Sequence, residues 1–141
     1  MDIEFNNIAE LDTGGTGWFM GFSDWAKAML AGVADLRYMP ADQRSHALCM
    51  KWMAHPAHDP RGVAKPPSQG RTLSILVSET GCFRLEFARD RDFPAQHLRR
   101  CTLRRHGDFV IWGEGLHHRW FVDQACTILT LRWIPDGAAG E

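Results

Sequence analysis

The run from Gly107 to Trp133, GDFVIWGEGLHHRWFVDQACTILTLRW, constrains this chain more than any other stretch. It reads strand, tight turn, strand, turn, strand, with a histidine pair just after the first turn. Asp108 to Trp112 is short and rich in β-branched and aromatic side chains, which suit a pleated, half-buried surface. Gly113 and Gly115 bracket Glu114, and glycine takes positive φ without steric cost, so the chain reverses there. Strand character resumes at His118. Alternation then sets His118, Trp120 and Val122 on one face and His117 on the other. Asp123-Gln124 forms a second turn, and Cys126 to Ile134 a further strand.

Gly107, Gly115 and His118 carry a family resemblance. They resemble the second motif of the cupins, small double-stranded β-helix barrels of the RmlC-like kind. In that motif a glycine is followed by five residues, proline-any-glycine, two residues and a metal-binding histidine. Gly113 stands at the proline position, and the strand ending LRW resembles the closing strand of small single-domain cupins. The resemblance extends over roughly residues 48 to 135. It implies an all-β, jelly-roll barrel and a homodimer, to which the residues ahead of the barrel add a short N-terminal helix.

The length of 141 residues fits one domain, an extension over 1–47 followed by a barrel over 48–135. A hydrophobic share of 45% with 23% charged residues is an ordinary globular composition, and a formal net charge of −1 favours neither nucleic acid nor an anionic membrane as partner. No apolar run reaches the length of a transmembrane helix, and the acidic start MDIEFNNIAELD lacks the features of a signal peptide, so a cytoplasmic location is expected. Cys49, Cys82, Cys101 and Cys126 show no C-x-x-C spacing and are expected as free thiols.

Ahead of the barrel, Gly14-Gly15-Thr16-Gly17 lacks the Lys-Ser/Thr of a phosphate loop and reads as a turn. Ser23 is a good N-cap for a short helix over 24–36, in which Trp25, Met29, Val33 and Leu36 recur at helical spacing. From Leu48 the pattern is that of strands. Leu48, Met50 and Trp52 share one face, and Cys49, Lys51, Met53 and His55 the other. A long loop, HPAHDPRGVAKPPSQG, precedes a strand at 72–77. A turn at Glu79-Thr80-Gly81 then predicts a hairpin with 82–87, and a further strand follows at 98–103.

Histidine supplies the candidate chemistry. His118, His55 and His58 form a candidate set for one divalent transition metal, because neutral imidazole binds such ions well. The first cupin motif needs histidine-any-histidine and then a glutamate. Here two residues separate His55 from His58, and Ser74 falls at the glutamate position when Gly81 is taken as that motif's last glycine. Trp120, two residues beyond His118, is placed to line a ligand cavity, and Trp52 joins it as a ligand-binding candidate. Arg84 and Arg132 alternate with apolar neighbours, and an inward arginine would recognise a carboxylate or phosphate through paired N–H donors. No G-x-S-x-G motif is present.

The function expected is therefore binding of a small polar or anionic molecule inside the barrel. A metal-dependent cupin enzyme of dioxygenase or isomerase type is the second reading. A dimeric structural or interaction module with a vestigial pocket is the third. Fold alone does not choose among them.

Overall fold

The computed structural model describes residues 1–21, 33, 37–38, 45–62 and 65–135. Two antiparallel sheets face each other as a β-sandwich. The larger has the spatial order β1 (Ile3–Asn7), β8 (Asp108–Trp112), β5 (Arg71–Leu76), β10 (Cys126–Pro135) and β4 (Ser45–His55). The smaller has β7 (Arg99–Leu103), β6 (Cys82–Ala88) and β9 (His117–Gln124). A two-residue parallel pair joins β2 (Met20–Gly21) to β3 (Arg37–Tyr38). The helix expected over 24–36 lies outside the described residues, apart from Val33. Among the described residues no helix is long and apolar enough to cross a membrane.

Alternation makes both sheets two-faced. Their inner faces meet in a core that includes Leu76, Phe83, Leu85, Phe87, Trp112 and Ile128. The larger sheet is apolar on its outer face as well, where Leu73, Ile75, Phe109, Ile111 and Trp133 form a second cluster. Ile8, Leu11, Phe19 and Met20 of the N-terminal segment pack onto that cluster, with the Phe19 and Phe109 rings 5.9 Å apart. Asn7 holds this segment in place. Its Nδ2 donates to Asp108 Oδ1 at 2.8 Å, and its Oδ1 accepts from the Ala9 N–H at 2.8 Å.

One local expectation is corrected. Glu79-Thr80-Gly81 does not close a hairpin, because β5 pairs with β8 and β10 whereas β6 pairs with β7 and β9. The turn instead carries the chain from one sheet to the other. The inward side chains at its two ends, Leu76 and Phe83, gain more by packing across the core than a local hairpin would give them.

The outer face of the smaller sheet is polar and built around one buried carboxylate. Glu86 accepts from Arg119 Nε at Oε1 and from Arg100 Nε at Oε2, both at 2.7 Å. Both arginines stand directly across from it on the neighbouring strands. Burial by itself would raise the Glu86 carboxyl, but the two charged hydrogen bonds outweigh it and hold the group below the ordinary glutamate range. Glu86→Gln is expected to lower stability at neutral pH. Losing one partner of a fully buried pair costs roughly 3–5 kcal/mol, but Arg100 is 65% exposed, so about 2 kcal/mol is expected here. The difference should be fully present above the ordinary glutamate range and close as pH falls through the depressed folded value. Denaturant melts of the two proteins across that range check it, and an acid-independent difference would refute it.

Candidate ligand-binding site

A cavity opens between the sheets where polar residues replace apolar ones on the inner faces. The larger sheet contributes Lys51, Met53 and His55 from β4, Thr72 and Ser74 from β5, Trp112 from β8, and Ile128, Thr130 and Arg132 from β10. The smaller sheet contributes Phe83, Leu85, His118 and Trp120. Register explains the grouping, since Thr130 stands across from both Lys51 and Ser74, and Arg132 across from Thr72. The cavity measures about 30 Å³, room for about two water-sized groups.

The larger sheet's wall is a ladder of hydroxyls topped by cations. Thr72, Ser74 and Thr130 are all buried. Ser74 Oγ and Thr130 Oγ1 share a hydrogen bond at 3.0 Å, and Arg132 Nε donates to Thr72 Oγ1 at 3.3 Å. Facing them, the Trp120 ring stacks on Phe83 at 5.8 Å and on His118 at 6.4 Å. Lys65 Nζ lies 4.5 Å and Lys51 Nζ 5.8 Å from the Trp120 ring centre. The loop over 60–62 backs β9 so closely that a Cβ on Gly62 would collide with the Trp120 carbonyl and indole.

Electrostatically the site is positive and lacks acids. Among the described residues Lys51, Lys65 and Arg132 form no ion pair, and no carboxylate lines the cavity. Burial, followed by the charges of Lys65 and Arg132, lowers the Lys51 ammonium. Burial, followed by Arg132, Lys65 and Lys51, pushes the His118 imidazole down to about 4, so it is neutral at pH 7. Three buried nitrogens here have no hydrogen-bond partner: His118 Nδ1, Trp112 Nε1 and Trp120 Nε1. Both indole nitrogens are donors only. A pocket with cations, two unpartnered indole donors and no carboxylate suits a ligand with anionic acceptor oxygens.

The sequence candidates separate on this geometry. His118, Trp120, Arg132 and His55 line the cavity. His55 is fixed by its Nδ1, which bonds Asp59 Oδ2 at 2.7 Å, and Asp59 is itself held by Arg61 Nε at 2.8 Å and Arg61 NH2 at 2.7 Å. Burial outweighs the Asp59 bond and lowers the His55 imidazole, while Arg61 keeps Asp59 well below the usual carboxylate range. His58 is exposed outside the cavity, at φ 61°, with its N–H bonded to the Val122 carbonyl at 2.7 Å. His118, His55 and His58 are thus not gathered around one point, and among the described residues no cluster of three or more metal-ligating side chains occurs.

Trp52 and Arg84 are placed away from the cavity. Trp52 is 68% exposed on the outer face of β4, because alternation sends it opposite to Lys51 and Met53. Arg84 faces outward from β6, donating to Asp123 Oδ2 at 3.3 Å and stacking 4.3 Å over Phe121. The residues that sequence reasoning passed over are Lys51, Lys65, Trp112 and the three hydroxyls. Their signal was present as polar residues two apart on otherwise apolar strands, Thr72-x-Ser74 and Thr130-x-Arg132.

No protein-family model and no curated protein matches this chain.

Proposed function

We propose that this chain is a cupin-like protein that binds a small anionic molecule between its sheets. The observation that carries this reading is the acid-free cluster of Lys51, Lys65 and Arg132 beside three buried, unpartnered ring nitrogens. A buried donor without an acceptor costs about 1–3 kcal/mol, and a ligand oxygen relieves that cost. The strand order supports a jelly-roll barrel, since the chain passes from the larger sheet at β5 to the smaller at β6 and β7, back at β8, across at β9 and back at β10. Free thiols at all four cysteines support a reducing, cytoplasmic setting.

Titration with small carboxylates and inorganic phosphate tests the reading. Millimolar anion is expected to raise the melting temperature. The Lys51→Ala, Arg132→Ala double variant is expected to bind at least about tenfold more weakly, since each lost charged hydrogen bond exceeds the tenfold threshold. Both side chains are largely exposed, so the unliganded melt should hold. Absence of stabilisation by any of these anions would overturn it.

We further propose that a second copy covers the outer stripe of β4. Leu48, Met50 and Trp52 are exposed in a row, continuous with the half-buried Leu129 and Leu131, while the N-terminal segment covers the rest of that face. An identical stripe on a two-fold-related copy is self-complementary. Sedimentation at tens of micromolar, an order-of-magnitude working range, is expected to give a dimer that Trp52→Glu converts to monomer. A wild-type monomer there refutes the assignment.

A further inference from the structure

The cavity is small, and its walls are tied so that it stays small. At about 30 Å³ it has room for about two water-sized groups. The polar wall is fixed by the Ser74–Thr130 hydrogen bond at 3.0 Å and by β10, which pairs with β5 on one side and β4 on the other. The aromatic wall is filled. Trp120 is covered by Phe83, His55, His118 and Lys65, and its backbone by the loop at Gly62. Trp112 is 1% exposed and lies 5.1 Å from both Phe87 and His118. Neither indole offers a bare face to a flat ligand, so size decides what enters.

The polar wall has donors for about as many oxygens as the cavity has room. Arg132 Nε donates to Thr72 Oγ1, so the Thr72 hydroxyl keeps its own proton for a further acceptor. Ser74 and Thr130 share one hydrogen bond in which one hydroxyl donates, so one proton of that pair remains as well. Two hydroxyl protons therefore face a space for about two oxygens. Arg132 and Lys51 line the same wall, and no carboxylate does. Resting on the anion-binding reading, we infer that the ligand is a bent triatomic monoanion, two oxygens joined through one central atom, the class of formate and nitrite. Its oxygens take the two positions against the hydroxyls and cations, and the central atom adds little to the room they need. Further substituents have no seat. The carbons of a longer carboxylate would press on Met53, Leu85 or Ile128, and carbonate and phosphate carry more oxygens than the space admits.

The experiment follows the melting temperature of the wild-type chain against rising formate, nitrite, propionate and phosphate at constant ionic strength. Formate and nitrite are expected to bind alike, and propionate at least about tenfold more weakly, because its two extra carbons overfill a closed space. Met53→Ala enlarges the cavity without touching its hydroxyls or cations, and is expected to erase that preference. Met53 is half-buried on the edge strand β4, so the variant should fold. An unchanged preference in the folded variant would overturn selection by size, and the wild-type series decides the matter even where the variant fails to fold. Propionate equal to formate, nitrite failing where formate binds, or binding of phosphate alone would overturn triatomic selection and leave the anion site standing. No stabilisation by any of the four would overturn both.

Discussion

Trp120→Ala is expected to lower the free energy of unfolding by about 3–5 kcal/mol and to weaken ligand binding in the same step. The residue is 7% exposed, and its ring meets His55 at 5.4 Å, Phe83 at 5.8 Å and His118 at 6.4 Å. It stands on the edge strand β9 across from Leu85 of the central strand β6, with the loop at Gly62 pressed against its backbone. Neither side of the ring is free to collapse inward, because β6 and β9 are held in register and the loop is tied to the Val122 carbonyl through His58 N–H. A cavity therefore remains where the indole was, and the cavity term adds to the lost transfer energy. Urea unfolding of wild type and variant checks this. A loss under about 1 kcal/mol would mean that the ring contributes little packing, contrary to its burial.

The strand pattern was legible in the sequence because alternation is a local property. Asp108–Trp112 is a strand as read, β7 begins at Arg99 against an expected 98, and the turn through Gly115 has the positive φ of 78° that its glycine implies. Sheet membership was not legible. Glu79-Thr80-Gly81 carries a hairpin's local chemistry, yet the strands on either side of it belong to different sheets. Which strand pairs with which is decided by burial of Leu76 and Phe83 across the core, a non-local matter that turn residues do not encode.

The site was legible in part for the same reason. Period two fixed His118 and Trp120 on one face, and both line the cavity. It fixed Trp52 opposite to Lys51 with equal force, but the sign of each face depends on which side the second sheet covers. Sequence reasoning named both Trp52 and His55, which lie on opposite faces of β4, and so left the inward face open. In the folded chain Lys51, Met53 and His55 point in, and Leu48, Met50 and Trp52 point out. Arg84 shows the complementary case, since Asp123 and Phe121 on β9 give an outward guanidinium a partner that sequence separation conceals.

Acid should destabilise the fold through His118 before it reaches most carboxylates. An unfolded imidazole takes up a proton below about pH 6.5, whereas folded His118 takes none until about 4. Between those values the unfolded chain holds more protons, so its population grows as pH falls. The contribution is fully present above 6.5, is lost progressively toward 4, and changes no further once both forms are charged. The full loss is about 3 kcal/mol. The groups facing the ring account for the direction, with Arg132, Lys65, Lys51 and His117 as charged or titratable neighbours and Phe87, Trp112 and Trp120 as aromatic ones. His118→Asn should flatten stability across this window relative to wild type, leaving the smaller contribution of His55 in both proteins. A ring signal followed by NMR should stay neutral until near pH 4 in the free protein, and a His118 titration between 6 and 7 would contradict the burial argument. With a saturating small carboxylate the same titration should move upward, because a carboxylate beside Arg132 and Lys51 offsets the charges that now oppose protonation.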